Sequence, residues 1–260
     1  MNILDQILAQ KTEDVIFEKK NYPLSYLTES TYFDRTCISL KKNLQTLKFG
    51  IIAEIKRKSP SMGDINTALN PIEIASMYEQ AGVAGISVLT DHHYFGGSLS
   101  DLSDVRAHVN IPLLRKEFII DEYQILTAKA FGADCILLIA EALEKKQLFD
   151  LAQVAHKLGL EVLMEIHSLE QLEKINEYIT ILGVNNRDLK QQKTDLQISK
   201  QLFPFLPKDM VTITESGIQT PKDLEEMASI GYQGALIGSS IVGNTDPKEQ
   251  LARLCNAMSI

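Results

Sequence analysis

Short apolar runs alternate with longer segments of helical periodicity along most of this chain. The apolar runs are rich in Ile, Val and Leu and read as buried strands, because strands of a parallel sheet are covered on both faces. These predicted strands lie at residues 50–56, 85–90, 112–116, 135–140, 161–166, 181–185, 211–215 and 235–237. Predicted helices lie between them at residues 71–81, 122–131, 145–158, 169–177, 221–230 and 247–258.

Eight strand-then-helix units in a chain of 260 residues predict an α/β fold of the (β/α)8 TIM barrel type. A doubly wound open sheet is the structural alternative. That fold would usually carry a glycine-rich GxGxxG turn after its first strand, and the sequence has none. The pattern therefore favours a closed barrel.

The first 48 residues precede the first predicted strand and are expected to form an N-terminal helical extension of a single barrel domain spanning residues 1–260. Apolar residues of the opening segment share one side of a helix, which indicates packing against the barrel. They are Ile3, Leu4, Ile7, Leu8 and Val15.

The composition of the chain excludes some classes of partner and indicates the cellular compartment. The formal net charge is −8, which disfavours nucleic acid and anionic membranes as partners. Cys37, Cys135 and Cys255 are far apart, which argues for a reducing compartment and against a disulfide framework or a zinc site. No apolar run approaches the ~18 residues of a membrane span. We therefore expect a cytoplasmic protein. We expect no metal site, since the histidines do not show the spacing of metal ligands.

Polar side chains gather where the predicted strands end. In a (β/α)8 barrel these carboxyl ends form the active-site mouth. The residues placed there are Glu54, Lys56, Lys116, Glu165, Asn185, Arg187, Glu215, Ser216, Gly217, Gly238, Ser239 and Ser240. One charged residue at a strand end is usually a solvated rim residue. Two lysines and three carboxylates converging on one mouth instead predict acid–base catalysis.

The last two strand ends also predict a phosphate site. Loops after strands 7 and 8 commonly bind phosphate in this fold, and here they read ESG and GSS. Gly217 and Gly238 would let backbone N–H groups approach the anion, with the hydroxyls of Ser239 and Ser59 completing the cradle. Two ordinary glycine turns are the alternative. Phe95 and Phe118 would stand above the same mouth and suit an aromatic substrate ring, unless they only pack against their own loops.

Motifs in this order resemble those of the indole-3-glycerol phosphate synthase family. They include IAEIKRKSPSMG at 52–63, LTDHHYFGGS at 89–98, LLRKEFIID at 113–121, GADCILLI at 132–139, EVLMEIH at 161–167, GVNNRDL at 183–189, ITESGI at 213–218 and ALIGSSIV at 235–242. The resemblance implies a cofactor-free carboxy-lyase of tryptophan biosynthesis. Its substrate would be the phosphosugar 1-(2-carboxyphenylamino)-1-deoxyribulose 5-phosphate, which undergoes ring closure, decarboxylation and dehydration.

The resemblance also implies roles for individual residues. Lys116 matches the general acid of ring closure, and Lys56 matches the second lysine. How dehydration is divided among Lys56, Glu54 and Glu165 stays open. Asn185 and Glu215 would bind substrate hydroxyls and orient the lysines, while Arg187 would lie near the anthranilate carboxylate or brace Glu215. The remaining expected substrate-binding residues are Ser59, Pro60, Phe95, Phe118, Leu137, Leu189 and Ser216, with Ser59, Gly217, Gly238 and Ser239 at the phosphate.

Two other functions compete with this interpretation. Phosphoribosylanthranilate isomerase would need a Cys/Asp pair near strands 1 and 5, where this chain offers Glu54, Lys56 and Glu165. A non-catalytic barrel that binds a phosphorylated metabolite would not need so many titratable groups. We expect a free-standing, monomeric enzyme, since 260 residues leave no room for a fused partner.

Overall fold

The computed structural model describes residues 2–258 and contains a closed barrel of eight parallel strands. The strands are β1 (Gly50–Ile55), β2 (Gly85–Leu89), β3 (Leu113–Lys116), β4 (Cys135–Ile139), β5 (Glu161–Ile166), β6 (Ile181–Asn185), β7 (Val211–Glu215) and β8 (Gly234–Ile237). Each pairs with the next along the chain, and β8 closes on β1 with Gly50 opposite Gly234. The predicted TIM barrel and all eight of its strands are confirmed.

Alternation along β1 explains how an almost wholly buried strand carries catalytic chemistry. Ile51, Ala53 and Ile55 belong to the apolar layer between strands and surrounding helices. Ile52 points the other way, into the barrel interior. Glu54 has the parity of Ile52, because side chains two apart share a face of a strand, and it emerges inside the barrel at the carboxyl end.

Helices surround the barrel and precede it. They are α1 (Ile3–Asn21), α2 (Leu24–Thr28), α3 (Leu40–Thr46), α4 (Pro71–Gln80), α5 (Leu99–His108), α6 (Glu122–Ala130), α7 (Lys145–Lys157), α8 (Gln197–Leu202), α9 (Pro221–Ile230), α10 (Ser239–Val242) and α11 (Pro247–Met258). Asn70 and Thr220 cap α4 and α9 with their side chains, each before a proline in the first helical turn. None of the described helices is both long and apolar enough to traverse a membrane.

The N-terminal extension reaches both ends of the barrel. Helix α3 buries Leu40 and Leu44 against the interior cluster near the amino ends of the strands. Helix α1 buries Leu4, Ile7 and Val15 in the direction that the sequence predicts, but Lys11 is buried on the same side. Leu4 and Ile7 pack with the barrel interior from the carboxyl end. The extension therefore contributes to the mouth as well as to the base.

One predicted helix is wrong in type. Residues 169–177 were expected to be helical, but the structure has a short 3-10 helix over Leu169–Lys174. Gln171 is its only fully buried side chain and Leu169 is exposed, while Leu172 and Ile175 pack against the core only in part, so little apolar burial supports a longer helix. The first βα loop also contains a small hairpin that pairs Lys58–Ser59 with Gly63–Asp64, which the sequence did not predict.

Candidate active site

A cavity of about 440 Å³ opens at the carboxyl ends of the strands. Sixteen of the residues singled out from the sequence at strand ends or as substrate-binding line it, and all eight strands or the loops that follow them contribute at least one. They are Glu54, Lys56, Pro60, Phe95, Lys116, Phe118, Leu137, Glu165, Asn185, Arg187, Leu189, Ser216, Gly217, Gly238, Ser239 and Ser240. The predicted convergence of strand-end side chains is therefore present in the fold.

Lys116 lies between two carboxylates at the centre of this site. Its Nζ is 2.6 Å from Glu215 Oε2 and 3.1 Å from Glu165 Oε2. Lys116 and Glu215 are the last residues of β3 and β7, and Glu165 is the penultimate residue of β5. These are alternate strands, whose last inward positions face one another across the barrel. Both carboxylates are almost completely buried. The ammonium is therefore held in one place by charge-assisted hydrogen bonds.

A second lysine–carboxylate pair belongs to the first strand. Lys56 Nζ lies 2.6 Å from Glu54 Oε1, and both side chains are largely buried. Their spacing of two residues on an extended segment places them on one face, as the sequence indicated. The cavity thus holds two ammonium groups, each fixed by at least one carboxylate.

Burial and mutual charge push the ionisation of these groups in different directions. Burial opposes the charge of Lys116, but the carboxylates Glu215, Glu165 and Glu54 raise its pKa well above the usual value. Burial likewise opposes the charge of Glu165 and Glu54, yet their lysines keep the pKa of each below its ordinary value. Burial, reinforced by Glu165, raises the pKa of Glu215 to about 8 against the attraction of Lys116. One of the two carboxyls around Lys116 is thus poised to carry a proton.

Two predicted site residues do not line the cavity. Glu215 lies beneath Lys116, and its Oε1 is buried, without a hydrogen-bond partner among the described residues, beside Gly183. Ser59 is turned inward by the hairpin of the first loop and is 3% exposed. Its hydroxyl lies 3.4 Å from that of Ser61. Direct contact of either residue with a substrate needs a rearrangement of the surrounding groups.

Arg187 connects two loops across the mouth. Its guanidinium donates to Ser61 Oγ at 2.5 Å and to Thr194 Oγ1 at 3.3 Å. Asn185 Oδ1 accepts the backbone N–H of Arg187 at 3.0 Å. The sequence left two positions open for Arg187, one near the substrate carboxylate and one bracing Glu215. In the described residues Arg187 makes no hydrogen bond or ion pair to Glu215. The arginine instead stands at the rim, with its charge available to an anionic group.

The predicted phosphate end of the cavity has unusual backbone geometry. Ser216 and Gly217 follow β7 with φ of +63° and +89°, a conformation that glycine adopts without strain but serine does not. On the neighbouring strand, β8 ends at Ile237, Gly238 follows, and the short helix α10 starts at Ser239. Ser240, next to Ser239, has a buried hydroxyl without a partner in the described part of the chain. Such turns expose backbone N–H groups to an anion.

Aromatic and aliphatic side chains form the opposite wall. The rings of Phe95 and Phe118 lie 6.2 Å apart between centroids, at an interplanar angle of 32°. Several lining residues were not predicted from the sequence, among them Leu4, Ile7, Asp91 and Glu117. Leu4 and Ile7 were assigned to the apolar side of α1 but not to the site. Residues 2–258 contain no group of three or more His, Cys, Asp or Glu arranged to hold a metal ion.

Solved structures with the same architecture are distant in sequence. The tryptophan synthase alpha subunit from Legionella pneumophila superposes with a TM-score of 0.62 at 17% identity, covering 84% of this chain and 97% of that one. A 3-hexulose-6-phosphate synthase superposes with a TM-score of 0.61 at 16% identity, covering 81% of this chain and 100% of that one. At such low identity these similarities establish the barrel fold alone.

Sequence relatives are much more similar. The indole-3-glycerol phosphate synthase of Bacteroides thetaiotaomicron is 42% identical over 257 residues, which is 99% of each chain. That of Aliarcobacter butzleri is 39% identical over 265 residues, covering 99% of this chain and 100% of the relative. The sequence model of the family matches residues 4–254. The chain therefore belongs to the indole-3-glycerol phosphate synthase family.

Proposed function

We propose that this cavity converts 1-(2-carboxyphenylamino)-1-deoxyribulose 5-phosphate to indole-3-glycerol phosphate, the carboxy-lyase step of tryptophan biosynthesis. The observation that carries the proposal is Lys116, a largely buried ammonium fixed by the buried carboxylates of Glu165 and Glu215 at the centre of the cavity. A cation in this position donates a proton to an oxygen that gains electron density. The Lys56–Glu54 pair in the same cavity supplies a second acid–base couple.

Lys116 is the proposed acid of ring closure. The ring carbon that bears the carboxylate attacks the ketone carbon, and the ketone oxygen takes a proton from Lys116 Nζ to become a hydroxyl. Loss of CO2 then returns the bonding electrons to the aromatic ring. The raised pKa of Lys116, which comes from its three carboxylate neighbours against the effect of burial, keeps this amine protonated before substrate binds.

Dehydration requires a second acid for the departing hydroxyl and a base for the proton left on the new five-membered ring. Lys56, Glu54 and Glu165 are the groups available to it. Glu54 and Glu165 have lowered pKa values, because their lysines outweigh burial, so both are ionised and able to accept a proton. The three groups form one coupled set, and the division of roles among them stays open.

Binding of the substrate is divided between the two sides of the cavity. The aromatic ring is proposed to lie along Phe95, Phe118, Leu137, Pro60 and Leu189, where apolar surface is available. Its carboxylate faces Arg187. The phosphate is proposed to occupy the end formed by Ser216, Gly217, Gly238 and Ser239, and Ser59 joins it only if the first loop opens. Asn185 contacts sugar hydroxyls, whereas Glu215 acts from beneath by orienting Lys116.

The competing functions find less support. An isomerase using a Cys/Asp pair lacks those residues at the ends of β1 and β5, which carry Glu54, Lys56 and Glu165. A non-catalytic barrel does not require an ammonium clamped between buried carboxylates, which is costly to place in a protein interior. A monomeric, cytoplasmic enzyme stays our expectation for the state in which the chain works.

The test is a turnover assay with the carboxyphenylamino-deoxyribulose phosphate, following growth of indole fluorescence. The chain contains no Trp, so its own emission interferes little. Lys116→Met should lower kcat by about 10²- to 10⁴-fold, the usual contribution of general acid catalysis. Lys146→Met is the matched control, because Lys146 is an exposed lysine whose ion pair within residues 2–258 is with Asp150 on the same helix. Normal turnover by Lys116→Met would show that Lys116 is not the general acid. Absence of turnover by the unmodified protein would show that it does not catalyse the proposed reaction.

A further inference from the structure

A buried lysine of the N-terminal extension lies behind the aromatic wall of the cavity. Lys11, on α1, is 5% exposed. Its Nζ lies 2.9 Å from Asp91 Oδ2, 3.1 Å from Glu117 Oε1 and 3.2 Å from Asp14 Oδ2. Asp91 and Glu117 follow β2 and β3, so this one ammonium joins the extension to two neighbouring strand ends.

Each of these two carboxylates also holds the backbone of a segment that carries a phenylalanine. Asp91 Oδ1 accepts the N–H of Tyr94 at 2.7 Å and that of Phe95 at 3.3 Å. Glu117 Oε1 accepts the N–H of Phe118 at 2.9 Å. The two rings that form the wall, Phe95 and Phe118, are therefore positioned by carboxylates that share Lys11.

The charges around Lys11 make the cluster sensitive to its loss. Asp91 and Glu117 are both almost fully buried. Burial disfavours the charge of Lys11, but Glu117 and Asp91 raise its pKa above the usual value. Glu117 also has Arg115, 3.7 Å away, whereas Asp91 has only Lys11 as a cation within ion-pair distance among the described residues. Without Lys11, a buried carboxylate beneath the Phe95 segment is left uncompensated, and it must recruit water or move.

We propose that Lys11 is a positioning residue for substrate binding, which sets the spacing of Phe95 and Phe118 through Asp91 and Glu117. The inference rests on the proposed function, because the aromatic wall is the surface assigned to the substrate ring. Lys11 does not touch the substrate, so it acts on the fit of the ring more than on proton transfer. Its removal is expected to raise KM on the order of 10-fold while kcat changes less, because a displaced wall weakens binding of the ring in the ground state and the transition state alike.

The experiment compares two lysines of the same helix. Lys11→Met removes the buried cluster, and Lys19→Met removes the exposed ion pair with Asp121, which also joins α1 to the barrel at 2.8 Å. If Lys11 merely docks the helix, both variants have similar effects. The proposal expects a raised KM in Lys11→Met alone and its recovery in Lys11→Arg, which keeps the charge. An unchanged KM in Lys11→Met, or equal increases in both variants, would overturn it.

A second measurement does not depend on turnover. Amide hydrogen exchange of Tyr94, Phe95 and Phe118 should accelerate in Lys11→Met and remain unchanged in Lys19→Met. Faster exchange in Lys11→Met alone would support the positioning role even if the protein did not catalyse the proposed reaction. Unchanged exchange in both variants would refute the positioning role without refuting the proposed reaction. Should Lys11→Met not fold, Lys11→Met/Asp91→Asn restores the balance of buried charge. It should still show faster exchange at Phe118 and a raised KM, and normal values for both would also overturn the proposal.

Discussion

Replacing Glu215 with glutamine separates the orientation of Lys116 from direct binding of the substrate. Glu215 Oε2 lies 2.6 Å from Lys116 Nζ, but Glu215 does not line the cavity. Glu215→Gln keeps the size of the side chain but removes the ionisable carboxyl group. A hydrogen bond to a charged group contributes about 1.5–3 kcal/mol, so kcat should fall about 10- to 150-fold through poorer placement of the ammonium. KM should stay within about twofold, because Glu215 does not touch the substrate in the proposed binding mode.

The same substitution should change stability with the opposite sign. The pKa of Glu215 is raised to about 8 by burial and by Glu165, against the attraction of Lys116. A carboxyl whose folded pKa exceeds its ordinary value contributes stability below that ordinary value, near 4.5, and loses it as pH rises through the folded pKa. Glutamine does not titrate. The Tm of Glu215→Gln relative to the parent should therefore increase between about pH 5 and pH 8.

Steady-state kinetics and thermal unfolding measured across this pH range test both parts. Glu226→Gln is the matched control, since Glu226 is a half-exposed partner of Lys200 at 2.5 Å on the protein surface, and it should leave kcat, KM and the slope of Tm with pH unchanged. A large increase in KM with kcat retained would show that Glu215 binds substrate directly. That result would refute the indirect role inferred from its position beneath Lys116.

Two further predictions concern the ends of the barrel. Ser239→Asp places an anion at the proposed phosphate end and should raise KM by about 10-fold or more, because the two negative charges repel. Ser229→Asp, on an exposed face of α9, is the control and should leave KM unchanged. An unchanged KM in Ser239→Asp would show that the phosphate binds at another place. Asp134→Asn removes a fully buried carboxylate that pairs with Arg35 at 2.7 Å and with Arg106 at 2.9 Å. Urea unfolding should show a free energy of unfolding lower by about 3–5 kcal/mol, while kcat is retained. A loss below 1 kcal/mol, as expected for the exposed Asp150→Asn, would contradict that reasoning.

The strands and most of the cavity were predictable, because each strand end combines an apolar run with a polar residue of inward parity. Glu54 and Lys56 follow Ile52 with this spacing, and Glu165 follows Leu163. The hydrophobic pattern does not predict helix α5, because its sequence, LSDLSDVRAH, has few apolar residues. Its buried positions include Leu102 and Val105 but also Asp101 and Arg106, so the hydrophobic period is masked by paired charges.

Contacts between distant segments could not be predicted in the same way. Lys11 lies four residues from Ile7 and four from Val15, so its place on the apolar side of α1 was visible in the sequence. Its partners were not, because Asp91 and Glu117 are separated from it by 80 and 106 residues. The inward turn of Ser59 could not be predicted either, because it depends on a hairpin whose strands have two residues each. Such strands are too short to leave a hydrophobic pattern in the sequence.

The burial of Lys11 has a consequence for the order in which the protein assembles. Helix α1 is synthesised before the barrel strands, and Lys11 has only Asp14, on the same helix, as a carboxylate partner until the segments after β2 and β3 exist and have docked. Closing contacts over such long loops costs entropy that only later packing recovers. The barrel strands should therefore pair before α1 settles over the mouth, so during refolding the β-sheet signal returns first and catalytic competence last.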